Sequence, residues 1–169
     1  MIRLTGAVLL LLGGLALGLI PVWELSRRAA ALRAWGDALL LLKGELSFAL
    51  PAMPQLLETL SHKALSPAGE TFAQVGRGLG TLGERSFDQI WTQAVTQYGG
   101  LQGEDLAPLL RLGETLGRYG REDRDRVLEA VLEQLSRREE HCREELKNKG
   151  RAYGALGLSL GAFFIIFLL

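Results

Sequence analysis

Two charge-free apolar runs, one near each end, constrain this chain more than anything between them. Leu4–Trp23 holds twenty residues without a charge, about the length that crosses a bilayer core of roughly 30 Å. Ala152–Leu169 holds eighteen, just enough to span. Trp23 stands at the exit of the first run, where an indole suits the membrane interface. Gly14 and Gly18 in the first run, and Gly157 and Gly161 in the second, lie four apart and give small faces on which another helix can pack closely. Both runs read as transmembrane helices, residues 4–23 and 152–169. Each has a second reading. Arg3, the apolar stretch and the triplet Ala16-Leu17-Gly18 also fit a cleaved signal peptide. Against that, the apolar run continues past the triplet into a helical pattern. The C-terminal run also fits a tail helix buried in an oligomer.

Between them, residues 24–151 have room for one domain. Aromatics are sparse, leucine and alanine dominate, and runs rich in Val, Ile, Thr and aromatics are missing. This predicts an all-α fold. The charges balance at 19 basic and 19 acidic residues, so no nucleic-acid footprint is expected. The single cysteine, Cys142, cannot close an internal disulfide, so the domain needs no oxidising compartment. Basic residues flank the inner ends of the two runs: Arg27, Arg28 and Arg33 after the first, Lys147, Lys149 and Arg151 before the second. Only Arg3 lies on an outer flank. The asymmetry predicts a cytoplasmic domain with both termini outside.

Helical periodicity fills the domain. Leu25, Leu32, Leu39 and Leu46 fall seven apart, with Leu42 on the adjacent face, a core-facing stripe that continues the first span. Pro21 is a possible kink, and Pro51 and Pro54 end the helix. A short helix over Pro54–Lys63 buries Leu56, Leu57 and Leu60. Ser66 and Pro67 read as N-cap and first residue of the next helix, with Phe72, Val75, Leu79 and Leu82 inward and an end near Gly80. Ser86 and Gln89 form a capping-box pattern ahead of Phe87, Ile90, Trp91, Ala94, Val95 and Tyr98, and Gly99-Gly100 stops that helix. Glu104 and Asp105 open the next one, at its dipole's positive end, with Leu106, Leu109, Leu110, Leu112 and Leu116 inward and Gly120 as its stop. The last run buries Leu128, Val131, Leu132, Leu135, Cys142 and Leu146. Its outer face pairs Glu133 with Arg137, Glu139 with Arg143 and Glu145 with Lys149.

Catalytic sets are missing. There is no Gly-x-x-x-x-Gly-Lys-Ser/Thr loop. His62 and His141 are far apart, and the neighbours His141 and Cys142 diverge by about 100° on a helix and cannot share a metal. Ser61 and His62 do not face each other for the same reason. No enzyme activity, cofactor or metal is expected. The remaining feature is Gly113-Glu114-Thr115-Leu116-Gly117-Arg118. Glycine inside a helix costs about 1 kcal/mol against alanine, so two glycines four apart suggest a close backbone approach. Gly113 and Gly117 are therefore assigned to packing inside the bundle. Glu114 and Arg118, which can pair with each other, are the candidates for partner contact.

The whole layout resembles the stage III sporulation protein AB family of endospore-forming bacteria. The similarity rests on the N-terminal span, the leucine stripe with Leu46 and Pro54, the segment Ser86-Phe87-Asp88-Gln89-Ile90-Trp91, the segment Leu112–Arg118, the long charged helix and the C-terminal span. Gly113–Gly117, just before a long helix entering a span, is its most specific part. That family is itself similar to the cytoplasmic domains of F-type platform proteins of type II secretion and type IV pilus machines. Those are antiparallel six-helix bundles with a comparable glycine-glutamate-x-x-glycine helix. Platform proteins usually carry two such domains, and this chain carries one, so an assembly would need more than one copy or a different geometry. The resemblance implies an antiparallel bundle of about six helices tethered at both ends in the mother-cell membrane around the forespore. It further implies a non-enzymatic platform in a secretion-like channel complex. Its partners would be a cytoplasmic secretion-type ATPase similar to stage III sporulation protein AA, the other membrane subunits, and further copies of itself. A membrane-anchored adaptor or sensor that only recruits a cytoplasmic protein is the alternative.

Overall fold

Leucine stripes at helical spacing, punctuated by proline and glycine, leave little choice but helix. The computed structural model describes the backbone of residues 2–48, 52–118 and 121–168, and the side chains of residues 22–47, 52–117 and 124–149. Among the described residues six α-helices follow one another: α1 (Ile2–Phe48), α2 (Met53–Lys63), α3 (Ala68–Gly78), α4 (Phe87–Tyr98), α5 (Ala107–Arg118) and α6 (Arg121–Leu168). Short 3-10 turns, Leu79–Thr81 and Gly103–Asp105, follow α3 and precede α5. The chain divides into two compact units, Met1–Arg27 with His141–Leu169, and Arg28–Glu140. The predicted spans, 4–23 and 152–169, fall almost wholly on residues whose side chains lie outside the described set. Among the described residues no helix is long and apolar enough to cross a membrane.

In the first unit α1 continues through Pro21 without interruption. Cys142 is buried and its neighbour His141 is exposed. Glu145 receives Lys149 at 3.6 Å and stands 3.5 Å from His141 Nδ1.

In the second unit the α1 stripe is buried as the heptad spacing predicts: Leu32, Leu39, Leu42 and Leu46 all point inward, and Trp35 joins them with no exposed surface. Trp35 meets Phe72 of α3 and Trp91 of α4 edge to face, with ring centroids 5.7 and 6.3 Å apart. Phe72 and Trp91 close the triangle at 6.1 Å. Each such pair adds about 0.5–1.5 kcal/mol beyond the area it buries. The Trp35 indole N–H donates to the Gly99 carbonyl at 2.7 Å, which satisfies one of the orphan acceptors at the end of α4. Successive short helices then pack on each other, α2 on α3, α3 on α4 and α4 on α5.

Three sequence expectations change. Ser66 does not cap α3: Pro67 holds the N-cap position, and the Ser66 hydroxyl donates to Glu70 at 2.7 Å instead. Leu79 and Leu82 leave the α3 stripe, because the helix tightens into a 3-10 turn after Gly78 and Leu82 is left 52% exposed. Tyr98, the last residue of α4, is also exposed. The capping box of α4 forms in full. Ser86 Oγ accepts from the Gln89 amide, and the Ser86 amide donates to Gln89 Oε1.

Candidate functional site

The Gly113–Arg118 segment forms the second half of α5, and what anchors it is α4. Trp91 is fully buried, and its indole N–H donates to the Leu109 carbonyl at 2.7 Å. Leu109 lies one helical turn before Gly113, so the ring that reaches that carbonyl lies flat against the next turn. A Cβ at Gly113 would sit 2.2 Å from Trp91 Cδ1 and 2.7 Å from Cγ. Trp91 is buried and hydrogen-bonded, so a side chain at Gly113 would force the ring or the helix to shift. Gly117, one turn on, is different. It is exposed, and a Cβ there would meet Phe87 at 3.5 Å, ordinary van der Waals contact.

Between the glycines, Thr115 turns inward and its hydroxyl donates to the Arg111 carbonyl at 3.2 Å. Glu114 is exposed. The Arg118 side chain, and with it the expected Glu114–Arg118 pair and the Gly120 stop, lies outside the described residues. The arrangement is a helix backed by an aromatic ring that presents Arg111 and Glu114 to solvent.

At the head of α5 the structure adds to the sequence reading of Asp105. This residue lies in the 3-10 turn before α5, is 2% exposed, and is held by two arginines from the long helices. Arg28 of α1 donates through Nε at 2.5 Å and through a terminal nitrogen at 2.9 Å. Arg138 of α6 donates at 3.0 Å. Burial would raise the Asp105 carboxyl, but the hydrogen bonds from Arg28 and Arg138, and then their charges, outweigh it and hold it below the usual carboxylate range. Arg28, which in the sequence bears only on an expected orientation, thus holds the turn that starts α5. Nothing local in the sequence marks this site, because its members are 77 and 33 residues apart.

No group of three His, Cys, Asp or Glu residues able to hold a metal occurs among the described residues. What the described residues present here is a braced α5 with one exposed carboxylate, Glu114.

Comparison with known proteins follows this architecture. The family model described as stage III sporulation protein AB matches residues 3–169. A solved structure titled "Stage III sporulation protein AB (SpoIIIAB)" superposes with a TM-score of 0.64 at 19% identity, over 72% of this chain and 97% of its own length. At that identity the structural likeness speaks for the fold. No curated protein matches the chain.

Proposed function

The chain belongs to the stage III sporulation protein AB family, which gives it a role in sporulation, and from that premise we propose that it is a non-enzymatic platform subunit of a secretion-like channel complex between mother cell and forespore. In this reading residues 4–23 and 152–169 cross the mother-cell membrane. The helical domain 24–151 lies in the cytoplasm and docks a secretion-type ATPase similar to stage III sporulation protein AA. Other membrane subunits and further copies of the chain complete the assembly. The observation that carries the proposal is the construction of α5. Gly113 is locked on Trp91 and the turn before it is held by Arg28 and Arg138. The exposed Glu114 therefore sits on a helix held by a buried ring and by two arginines, which suits a part that transmits force from one partner to another.

Affinity capture of the full-length protein from sporulating cells tests this. Recovery of an ATPase together with a second, differently tagged copy supports the platform. Recovery of neither overturns it in favour of an adaptor acting outside any secretion machine. The topology has its own test: a reporter active only in the cytoplasm, inserted in the Gly99–Gly103 loop, is expected to give signal, and silence there reverses the orientation.

A further inference from the structure

Among the described residues nothing packs against Gly36 or Gly44 of α1. Both are helical, neither has a positive φ, and a Cβ at either would meet nothing within 4 Å there. Each costs about 1 kcal/mol of helix stability against alanine, and packing among the described residues returns none of it. They lie eight residues apart with Leu40 midway, so the three fall on one ridge of the helix. Leu40 is 58% exposed on that ridge, while Leu32, Leu39, Leu42 and Leu46 of the same helix are buried. Beside the ridge, Leu40, Leu41 and Gly44 floor a shallow groove of about 530 Å³ bounded by Asp37 and Glu45.

The charges around the groove are not equivalent. Glu45 is engaged by Lys63 at 2.8 Å, and Lys43 reaches across to Glu129 at 2.7 Å. Arg33 and Asp37, both exposed and on the same outward face, make no ion pair among the described residues. They stand one turn apart with the arginine first, the less favourable order for pairing within a helix.

We propose that this face of α1 is where a second copy of the chain packs. The inference rests on the reading that the chain self-associates in one membrane, which brings two α1 helices together in parallel about a twofold axis. Ridges four residues apart then interdigitate at a crossing angle of about −50°. Leu40 meets its twin, and the glycines one turn to either side let the backbones close. The same symmetry sets Arg33 of each copy beside Asp37 of the other, so two unpaired charges become two reciprocal ion pairs. An isologous contact repeats every interaction twice, which is why one short face with one leucine and one charge of each sign suffices as a specific register.

The test uses full-length protein in detergent, with its mass measured by light scattering and disulfide capture between copies. Leu40→Cys is expected to cross-link rapidly under mild oxidation, whereas Leu82→Cys, exposed to a similar degree at 52%, does not. Arg33→Asp and Asp37→Arg each place like charges together and are expected to weaken the dimer about tenfold or more, while R33D/D37R together restore it. All these positions are exposed, so thermal melts of the variants check that the fold is unchanged. A dimer that survives every charge variant and gives no Leu40→Cys cross-link overturns the α1 face while leaving self-association standing. A wild-type protein that is monomeric at every concentration overturns both.

Discussion

Interior glycines of two helices in the second unit, α5 and α1, answer to opposite environments. On α5 the space beyond Gly113 is filled by the indole of Trp91, with the nearest ring atom 2.2 Å from where a Cβ would stand. On α1 the space beyond Gly36 and Gly44 is empty. The helix-propensity cost is the same at each site, about 1 kcal/mol, so the difference lies in what the glycine makes room for. Gly113 admits a ring from the same chain, which is a matter of folding. Gly36 and Gly44 admit nothing from the described residues, which leaves room for the contact between copies proposed above. Gly117, exposed and at ordinary distance from Phe87, stands between the two cases.

The sharpest way to break this comparison is Gly113→Ala. Its methyl overlaps a buried ring that is hydrogen-bonded in place, and overpacking of this kind costs about 1–3 kcal/mol, occasionally more. A large fall in the melting midpoint by circular dichroism is expected. Trp91→Leu should also destabilise, but the double variant should lose less than the sum, because the smaller side chain removes the clash. Strict additivity would mean that Gly113 and Trp91 are not in contact.

Asp105→Asn ranks next. It leaves Arg28 and Arg138 converging on a neutral amide, and breaking a buried charge pair costs up to about 3–5 kcal/mol. Both arginines are partly exposed, so a loss of about 1–3 kcal/mol is the expected range. The pH dependence has a definite sign. The folded carboxyl lies below its ordinary value, so its contribution is complete above about pH 4 and disappears as pH falls through the lower folded value. In denaturant titrations the gap between wild type and Asp105→Asn should therefore be widest near neutrality and close in acid. A gap that widens in acid would contradict the assignment.

These two sites also show what a sequence can and cannot disclose. The all-helical character, the α1 leucine stripe and the capping box at Ser86 and Gln89 depend on neighbours within a few residues, and each was legible from spacing alone. Sequence also marked Gly113 and Gly117 as a pair, but spacing treats them alike. Only the position of Trp91 separates a glycine whose replacement must displace a buried ring from one where alanine has room. The partners of Asp105 stayed out of sight for the same reason. An acidic residue near a helix start has a good local explanation in the helix dipole, and the arginines that bury it come from the two long helices, far away in the chain. Ser66 failed more simply, since a serine before a proline has the spacing of a cap without its geometry.

Smaller effects sharpen the contrast between the two helices. Gly36→Ala and Gly44→Ala have room for their methyl groups and should each raise the stability of the isolated chain by about 1 kcal/mol while weakening the dimer. Gly117→Ala should be neutral or stabilising by up to the same amount, with no effect on the dimer. Melting curves combined with light scattering on one set of samples separate the outcomes. If Gly36→Ala and Gly44→Ala stabilise the chain and leave its association untouched, the emptiness over α1 has no partner to explain it.

The smallest effect on the fold belongs to Glu114→Lys, and it decides how the two surfaces divide their work. Glu114 is exposed on a helix braced from behind, so its replacement should change stability by no more than about 0.5 kcal/mol. Its consequence should appear only with a partner present. If α5 is the face that meets the ATPase through charge, while α1 meets a second copy through close approach, Glu114→Lys should reduce ATPase capture and leave the mass of the purified protein unchanged. Leu40→Lys should do the reverse, since it places a charge on the α1 ridge without touching α5. Loss of both associations in both variants would mean that the two contacts form as one, with each copy's ATPase surface completed only in the dimer. Equal capture by wild type and Glu114→Lys would remove this residue from the docking face and leave α5 as a purely structural helix.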